Sequence, residues 1–310
     1  MTRHLVVGVG LVGGPLAEAL VARGDDVTVA TRSATVIVGA EPVKLDARDR
    51  AAFVMAAKGA DRIFLCTNPP YPKWTSDWPP IYASAIAAAT ASDASLVMMG
   101  NLYGYGEPTG PMTEHSPQLT GESKGLVRKA GWEAVLAASG RGELRAVEVR
   151  ASDYFGPGTK GTSHLGEGFF RPVLASKTAR VVGNPAVEHS WSYLPDIVAT
   201  MIAAGDHSGA WGRAWHVPSN SPISRTAITA QINARWNVGG KVAQLPDWLL
   251  AGLGLFNPMM REIAASSYQF RVPFVIDSTE TEQLLSVAAT PWDEALAATV
   301  EHYRAVPATT

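Results

Sequence analysis

The sequence predicts an α/β fold, in which a doubly wound parallel sheet is followed by a smaller, mostly helical C-terminal substrate lobe. Apolar runs of strand length alternate with alanine-rich helical patterns as far as residue 150, which is the spacing of a parallel sheet with crossover helices. The strands are apolar almost throughout, as expected where helices cover both faces. Beyond residue 150 the alternation loosens, and glycine–proline loops separate helical segments. These observations divide the chain into a domain of residues 1–155 and a lobe of residues 156–310 that interleaves with the last sheet elements.

The first turn of the chain carries the strongest motif. An apolar run over residues 5–7 meets glycines spaced Gly8-x-Gly10-x-x-Gly13, and a helical pattern over residues 15–23 follows. In such a turn one glycine permits the bend, one lets the backbone approach a pyrophosphate, and one lets helix and strand pack closely. The helix N-terminus then offers N–H groups and a positive dipole end to phosphates. The pattern indicates a Rossmann-type dinucleotide-binding domain, with the cofactor lying against Gly8, Gly10, Leu11, Val12 and Gly13.

The end of the second strand bears on the choice of dinucleotide. This strand is predicted over residues 26–31, and an NAD-preferring site usually ends it with Asp or Glu, which binds the ribose 2′-hydroxyl. Here the strand ends in Thr31, Arg32 and Ser33. A cation between two hydroxyl groups suits a 2′-phosphate instead. We therefore predict NADP(H) rather than NAD(H) as the cofactor; the alternative for Arg32 is a solvated surface arginine.

The remaining elements follow from periodicity and from Gly/Pro punctuation. In the first domain we predict strands over residues 43–46, 61–67, 95–99 and 143–150, and helices over residues 49–58, 78–92 and 123–139. In the lobe we predict loops at residues 156–158 and 166–168, a helix ending near Gly205, a strand over residues 215–217, and helices over residues 224–236, 246–255 and 258–268. A last helix should begin with Thr290 as its N-cap and Pro291 at its first position.

Composition narrows the classes of function. The chain has 310 residues, a formal net charge of −2, 46% hydrophobic and 17% charged residues, which is typical of a soluble globular protein and gives no reason to expect nucleic acid or a membrane as partner. Its single cysteine, Cys66, excludes an intrachain disulfide and is predicted to be a buried core residue. The seven histidines show no metal-ligand spacing, so no metal is expected. The N-terminal apolar run is better explained as a strand than as a signal peptide, which predicts a cytoplasmic protein.

Several short motifs occur in a characteristic order behind the glycine turn. They are Leu45-Asp46, Leu102-Tyr103-Gly104, the stretch 150–158 (Arg-Ala-Ser-Asp-Tyr-Phe-Gly-Pro-Gly) and the stretch 193–196 (Tyr-Leu-Pro-Asp). Together they resemble the extended short-chain dehydrogenase/reductase family, the NAD(P)-dependent epimerase/dehydratase group, over nearly the whole chain. The tight glycine spacing is the form found in divergent, atypical members. The resemblance implies that Asp46 contacts the adenine amino group and that Thr67, Asn68 and Pro69 line the cofactor near its riboses.

The chemistry of that family depends on a Ser or Thr together with Tyr and Lys in the pattern Y-x-x-x-K. The tyrosine moves the proton on the substrate oxygen, and the lysine lowers the pKa of that tyrosine and binds the nicotinamide ribose. No Y-x-x-x-K occurs in this chain. Lys124 matches the family's lysine, whereas Thr120 stands where its tyrosine belongs and Met99 where its Ser or Thr belongs. A threonine hydroxyl has too high a pKa to replace a phenol as acid or base.

Three functional hypotheses remain open. In the first, the chain is an NADP(H)-dependent oxidoreductase or epimerase acting on a small alcohol, ketone or sugar-like substrate, with a relocated acid. Tyr103 is its first candidate, although a packed Tyr-Gly-Tyr-Gly loop would also explain that residue. Other candidates for the acid are Asn101, Tyr105 and Tyr154. In the second hypothesis, the chain binds NADP(H) without turnover, as a sensor or regulatory protein. In the third, Lys124 or a histidine supports a different reaction on a bound substrate, and the cofactor is retained for structure. His164 and His189 fall in the lobe that would line the cleft, but a surface or hydrogen-bonded structural role is the better explanation of each.

The resemblance also implies an assembly. Family members often pair through the two helices that flank the Tyr/Lys region, here residues 78–92 and 123–139. A homodimer is therefore expected, with a small molecule as the substrate.

Overall fold

The computed structural model describes residues 1–159 and 163–306. The strands, numbered along the chain, are β1 (Arg3–Val7), β2 (Asp26–Thr31), β3 (Glu41–Lys44), β4 (Arg62–Leu65), β5 (Ser95–Asn101), β6 (Ala146–Ala151), β7 (Asp153–Phe155), β8 (Thr178–Val181), β9 (Trp191–Tyr193), β10 (Ala214–His216) and β11 (Lys241–Gln244). Seven of them form one sheet in the order β10-β6-β5-β4-β1-β2-β3, with every neighbouring pair parallel. The predicted doubly wound parallel sheet is confirmed.

Helices fill the connections. They are α1 (Gly13–Ala22), α2 (Arg50–Ala56), α3 (Trp74–Ser92), α4 (Ser123–Gly140), α5 (Glu167–Leu174), α6 (Leu194–Asp206), α7 (Arg225–Trp236), α8 (Asp247–Phe256), α9 (Pro258–Ala265), α10 (Thr279–Leu285) and α11 (Trp292–Ala305). Short 3₁₀ turns precede α3 at Tyr71–Lys73 and follow α9 at Ser266–Phe270. No helix in these described ranges is long and apolar enough to span a membrane.

The order of the strands reverses beside β1. From β1 the chain runs outward through β2 and β3, then returns to β4 on the other side of β1 and continues through β5, β6 and β10. In the β1–β4 pair, Val7 lies opposite Leu65, so the two strands end at the same level. A crevice opens at such a switch point, at the carboxyl ends of parallel strands, and it is where ligands bind in these sheets.

Two apolar layers cover the sheet. One contains Phe53 of α2, Trp78 of α3 and Trp132 of α4, and the other contains Leu16 of α1 and Ile197 of α6; all five side chains are buried. Helices α3 and α4 lie side by side in the first layer. Pairing of two copies through these helices stays a prediction.

The residues after 156 contribute both to the sheet and to a separate core. Strand β10 forms one edge of the large sheet, whereas Phe169, Ile228 and Leu296 belong to an apolar cluster built mainly from α5, α7 and α11. Two small parallel pairs, β8–β11 and β7–β9, complete this part. The division into two domains at residue 155 stays a prediction.

Several predicted boundaries were wrong, and long-range contacts explain two of them. The last helix begins at Trp292 with Pro291 as its N-cap, because Thr290 instead donates its backbone N–H and its hydroxyl to Asp196, at 2.9 and 2.6 Å. Helix α3 begins at Trp74 rather than at residue 78. Trp74 and Trp78 lie one turn apart and are both buried, and this packing favours the longer helix. The helix continues through Pro79 and Pro80, although these residues have no backbone N–H to donate. The predicted loop at residues 166–168 is instead the start of α5.

Candidate cofactor and active site

Three cavities run along the carboxyl ends of the strands and share lining residues. The outer cavity lies between the ends of β1, β2 and β4, and its lining includes Gly8, Thr31, Arg32, Ser33, Asp46, Arg48, Thr67, Asn68 and Pro69. The middle cavity is lined by Gly8, Gly10, Leu11, Val12, Cys66, Thr67, Asn68, Trp78, Met99, Gly100, Asn101, Arg128 and Tyr154. The inner cavity includes Leu11, Asn68, Tyr71, Trp74, Asn101, Leu102, Tyr103, Ser152, Asp153, Tyr154, Ser163, Gln269 and Phe274. Because Asn68 lines all three, they form one continuous groove.

The glycine turn makes the floor of the middle cavity, and its three glycines do different things. Gly8 has φ of +91°, and a Cβ there would lie 2.6 Å from the Cα of Thr67, so the turn after β1 requires glycine. A Cβ on Gly13 would lie 1.8 Å from the carbonyl oxygen of Gly8, which is the close packing of α1 on β1. A Cβ on Gly10 would meet nothing within 4 Å and would project into open space. Val12, the N-cap of α1, makes no side-chain cap bond, so the N-terminal turn is open to a ligand.

The outer cavity contains the end of β2. Arg32 and Ser33 are exposed and line it, together with Thr31. The hydroxyl of Thr31 accepts a hydrogen bond from the backbone N–H of Thr35 at 2.8 Å, and the hydroxyls of Ser33 and Thr35 lie 3.0 Å apart. These bonds hold together the loop that follows β2. The guanidinium of Arg32 takes no part in them and lines the outer cavity. No hydrogen bond or ion pair holds that guanidinium within residues 1–159 and 163–306.

Asp46 follows β3 and lies on the opposite wall of the outer cavity. Its carboxylate accepts hydrogen bonds from Nε and Nη2 of Arg48, the shortest at 2.6 Å, and Arg48 also reaches Asp77 at 3.3 Å. The hydrogen bonds from Arg48 lower the pKa of Asp46 to about 2. Arg48, which the sequence analysis did not single out, is thus paired with two carboxylates, whereas Arg32 forms no ion pair in the described chain, although its charge also lowers the pKa of Asp46.

The middle cavity is closed on its far side by residues from α3, α4 and β5. Met99 lines it in the place of the family's Ser or Thr. Cys66, predicted to be a buried core residue, is half-buried and faces this cavity instead, because β4 ends one residue earlier at Leu65. Arg128 of α4 enters the same cavity, donates to the carbonyl oxygen of Met99 at 2.5 Å, and lies 4.3 Å above the ring of Trp78.

Lys124 and Thr120 lie outside the lining of these three cavities. The ammonium of Lys124 donates to the carbonyl oxygen of Glu262 at 2.8 Å and forms ion pairs with the carboxylates of Glu122 (2.9 Å) and Glu262 (3.0 Å). The side chain is only 1% exposed. The hydroxyl of Thr120 accepts the backbone N–H of Glu122 at 3.2 Å. Both groups are therefore occupied by local and lobe contacts, which differs from the cofactor contact that the resemblance implies for Lys124.

The inner cavity brings two phenols together. The hydroxyls of Tyr71 and Tyr103 lie 3.0 Å apart, and both residues line the cavity. The ammonium of Lys124 lies 5.4 Å from the centre of the Tyr71 ring. Burial raises the pKa of Tyr103 well above its ordinary value, so this phenol holds its proton. Tyr71, the first residue of the 3₁₀ turn after β4, was missed by the sequence analysis because it belongs to no Y-x-x-x-K pattern.

The other proposed acids fall in different places. Asn101 and Tyr154 line both the middle and the inner cavity, and Asn101 accepts the backbone N–H of Tyr103 at 3.1 Å. Tyr105 lies outside these cavities, in a buried network in which its hydroxyl accepts from Arg150 at 2.8 Å and lies 2.8 Å from Nε2 of His216.

A second polar wall of the inner cavity comes from β7 and the C-terminal part. Asp153 lines the cavity and pairs with Nε2 of His189 at 2.8 Å, and that pairing counters the effect of burial, so the pKa of Asp153 is lowered. Gln269, in the 3₁₀ turn after α9, also lines it; its side-chain Nε2 is buried and meets no partner within the described ranges. His189 is buried among aromatic rings, and His164 packs 4.6 Å from the ring of Phe270. No three or more His, Cys, Asp or Glu side chains of the described chain gather as a metal site.

A seven-stranded parallel sheet with a glycine cradle at its switch point defines a dinucleotide-binding α/β protein. A model of the NAD dependent epimerase/dehydratase family matches residues 4–217, and the chain belongs to that family. The resemblance stated from the sequence motifs is thereby confirmed. A search of curated proteins found no match.

Solved structures share the fold at low sequence identity. UDP-glucuronic acid 4-epimerase from Bacillus cereus in complex with NAD is 12% identical with a TM-score of 0.74, and the match covers 98% of this chain and 99% of that one. Epimerase Mth375 from Methanothermobacter thermautotrophicus is 18% identical with a TM-score of 0.81, covering 98% and 92%. A double mutant of DesIV, a dTDP-glucose 4,6-dehydratase from Streptomyces venezuelae solved with NAD, is 16% identical with a TM-score of 0.78, covering 98% and 97%. These likenesses establish the Rossmann-type architecture.

The groove fits the dinucleotide of this family. The open space above Gly10 and the uncapped start of α1 suit a pyrophosphate, and the outer cavity beside Asp46 and Arg32 suits an adenosine. The nicotinamide end would then lie in the middle cavity, against Met99 and Tyr154 and next to the inner cavity.

Proposed function

We propose that this chain binds NADP(H) along the groove and acts as an oxidoreductase or epimerase on a small alcohol, ketone or sugar-like substrate held in the inner cavity. One observation carries the proposal. The middle cavity, which suits the nicotinamide end, shares the lining residues Asn68, Asn101 and Tyr154 with the inner cavity, where the hydroxyls of Tyr71 and Tyr103 lie 3.0 Å apart. When bound, the cofactor supplies or accepts a hydride. The two phenols supply the proton that the family usually takes from the tyrosine of Y-x-x-x-K.

Tyr103 is the proton donor in this proposal and Tyr71 its relay. Burial raises the pKa of Tyr103, with the neighbouring Tyr71 adding to the shift, so Tyr103 is a neutral phenol at pH 7. A neutral phenol donates a hydrogen bond to a carbonyl oxygen and a proton to the alkoxide that reduction creates. It is a poor base for alcohol oxidation. The arrangement therefore favours the direction of carbonyl reduction.

The size and chemistry of the inner cavity indicate the substrate class. Its volume of about 160 Å³ lies below the roughly 300–1,000 Å³ of sites for drug-sized ligands, so the reacting portion is small. The cavity combines the rings of Trp74 and Phe274 with polar groups of Asp153, Ser163 and Gln269. Such a lining suits a hydroxylated carbon skeleton. Two of the solved neighbours named above, the UDP-glucuronic acid 4-epimerase and the dTDP-glucose 4,6-dehydratase, carry names of enzymes of nucleotide-linked sugars, which is consistent with this class. In this proposal the part of the chain after residue 156 is the substrate lobe.

The preference for NADP(H) rests on Arg32. A 2′-phosphate in the outer cavity would meet an exposed arginine whose guanidinium forms no ion pair in the described chain. Replacing Arg32 with Ala should weaken NADPH binding by about tenfold or more while NADH binding changes little. Arg50→Ala is a matched control, because Arg50 is a nearby exposed arginine that does not line the outer cavity. Equal loss of NADPH and NADH affinity in Arg32→Ala would refute the 2′-phosphate assignment.

Catalysis is tested with NADPH and a panel of small hydroxyketones and keto-sugars, following absorbance loss. Tyr103→Phe should lower turnover about 100-fold or more without changing cofactor affinity. Tyr193→Phe is the control, since Tyr193 is a buried tyrosine outside the three cavities. The reductive rate of the unaltered protein should stay flat up to about pH 10, the ordinary pKa of a phenol, because the pKa of Tyr103 is raised. A fall in rate already between pH 7 and 9, or full activity of Tyr103→Phe, would refute this role.

A second candidate function is binding of the dinucleotide without turnover. It is favoured by the position of Lys124, whose charge is balanced by Glu122 and Glu262 rather than directed into the groove, and by the loss of hydroxyl chemistry at Met99. The distinguishing result is tight NADPH binding with no absorbance loss on any member of the panel. That result would support the sensor or regulatory function and refute the role of Tyr103 as proton donor.

A further inference from the structure

We propose that Arg128, and not Lys124, holds the nicotinamide half of the dinucleotide. This inference rests on the proposed function, because it requires that a dinucleotide binds in the groove. The ligand chemistry is a phosphate or ribose oxygen of the nicotinamide mononucleotide half, and the interaction is a charge-assisted hydrogen bond from the guanidinium of Arg128.

Lys124 cannot meet such an oxygen without losing its present partners. Its ammonium has three donor hydrogens, and the structure offers it three acceptors: two carboxylates and one carbonyl oxygen, all within 3.0 Å. Glu262 comes from α9, so the contact also ties the C-terminal part to the start of α4. Breaking these bonds would leave two partly buried carboxylates without their cation, which is costly.

Arg128 lies one helical turn further along α4, on the same side as Lys124. Its residue is 4% exposed, and it lines the middle cavity, whereas Lys124 does not. Nη2 donates to the carbonyl oxygen of Met99, and the guanidinium lies 4.3 Å over the ring of Trp78. These two contacts fix the plane of the guanidinium at the end of β5, where the nicotinamide end of the groove lies.

The guanidinium of Arg128 is incompletely satisfied. Its Nε is buried and has no hydrogen-bond partner in the described chain. The nearest carboxylate, Glu148, is 3.6 Å from Arg128 but only 2.7 Å from Nε of Arg150, so a single acid serves two arginines. An excess positive charge attracts an anion. Because Arg128 lines the middle cavity, ligand oxygen atoms there would meet that charge, whereas the buried Nε is out of their reach.

The test separates the two halves of the cofactor. Binding of NADPH, of reduced nicotinamide mononucleotide and of adenosine 2′,5′-bisphosphate is measured by calorimetry for the unaltered chain, Arg128→Met and Lys124→Met. Arg128→Met should weaken the first two ligands by about tenfold or more and leave the third unchanged. Lys124→Met should change all three by less than about twofold, because its charge is already balanced inside the protein.

Each alternative outcome is informative. Unchanged affinity of Arg128→Met for NADPH, or a loss confined to Lys124→Met, overturns this inference while the proposed function survives. If the unaltered chain binds none of the three ligands, the proposed function itself fails. Should Arg128→Met fail to unfold cooperatively, Arg128→Lys is measured instead. It keeps the charge but lacks the Nε–H and the planar group over Trp78, so NADPH should bind measurably more weakly and the bisphosphate equally well; equal affinity for NADPH would overturn the inference.

Discussion

Replacing two glycines of the first turn by alanine should separate stability from cofactor binding. A methyl group on Gly13 would lie 1.8 Å from the carbonyl oxygen of Gly8 and 2.9 Å from Cβ of Cys66, whereas an ordinary heavy-atom contact is about 3.5 Å. The nearest atom belongs to the backbone of the turn after β1, so helix α1 has to move away from the strand. A methyl group on Gly10 meets nothing within 4 Å in the protein, but it occupies the space that suits the pyrophosphate.

The expected magnitudes differ in both assays. Overpacking of this kind costs about 1–3 kcal/mol, and a displaced backbone places Gly13→Ala at the upper end. For a chain of this size, roughly 2 °C of Tm per kcal/mol predicts a Tm lower by about 6 °C. Gly10→Ala should have the Tm of the unaltered chain or a slightly higher one. The φ of Gly10 is not left-handed, and alanine lowers the conformational entropy of the unfolded chain, which stabilises a protein by about 0.4–1 kcal/mol.

Thermal unfolding with and without NADPH measures both effects. Ligand at about 100 times its Kd stabilises a protein by about 2.7 kcal/mol, so the unaltered chain should gain several degrees on addition of NADPH. Gly10→Ala should lose most of that gain, because the methyl group keeps the pyrophosphate from the backbone. If Gly10→Ala retains the full shift, or if Gly13→Ala unfolds at the same temperature as the unaltered chain, the assignment of roles to these glycines is wrong.

Three further predictions concern groups around the groove. Removal from water raises the pKa of the Cys66 thiol to about 12, so maleimide labelling followed by mass spectrometry should be slow, and NADPH should slow it further; labelling unaffected by NADPH would place the cofactor elsewhere. Burial lowers the pKa of His216 to about 4, so denaturant unfolding should show stability falling from about pH 6.5 toward pH 4, as the unfolded chain takes up a proton that the folded chain does not. His216→Gln should flatten that part of the profile, and an unchanged slope would contradict this assignment. Asp46→Asn should lower the free energy of unfolding at pH 7 by less than about 1 kcal/mol, because the pair with Arg48 is partly exposed. Since the pKa of Asp46 is lowered to about 2, the difference should vanish as the pH falls to that value; a difference that persists there would show that the charge is not its cause.

The parts of the fold that depend on local pattern could be predicted from the sequence. The apolar runs and their spacing predicted the parallel sheet, and the glycine motif marked the turn on which the groove is built. Boundaries failed where a distant residue decided them. Thr290 does not cap the last helix because Asp196, 94 positions away, accepts its hydrogen bonds. Nothing in the local pattern around Thr290 signals that contact.

The candidate site divides in the same way. The position of Arg32 depends only on the local pattern at the end of β2. The sequence predicted that Arg32 faces the cofactor groove, and in the structure it lines the outer cavity. Lys124 pairs with Glu122, two positions before it, and with Glu262, 138 positions away, and no local pattern signals the second contact. Arg128 carried a usable signal, since it lies four residues after Lys124 on a predicted helix and so on the same face. Tyr71 carried a weaker one, as an aromatic residue in the segment that follows a strand ending at the crevice.

The replaced residues make chemical sense as a set. In the family pattern the lysine has two tasks, which are to lower the pKa of a tyrosine and to hold the ribose. Because Thr120 stands in place of that tyrosine, there is no phenol whose pKa the lysine could lower, and the charge of Lys124 is balanced by carboxylates instead. The second task can pass to another cation, provided that it reaches the groove, and Arg128 does so from the next turn of the same helix. In the described part of the chain no cation bonds the hydroxyl of Tyr103, the phenol that remains, and burial raises its pKa, so it can donate a proton but is poorly suited to accept one. Under the two proposals made above, loss of the Y-x-x-x-K tyrosine moves the cofactor contact by one helical turn and limits the proton chemistry to donation.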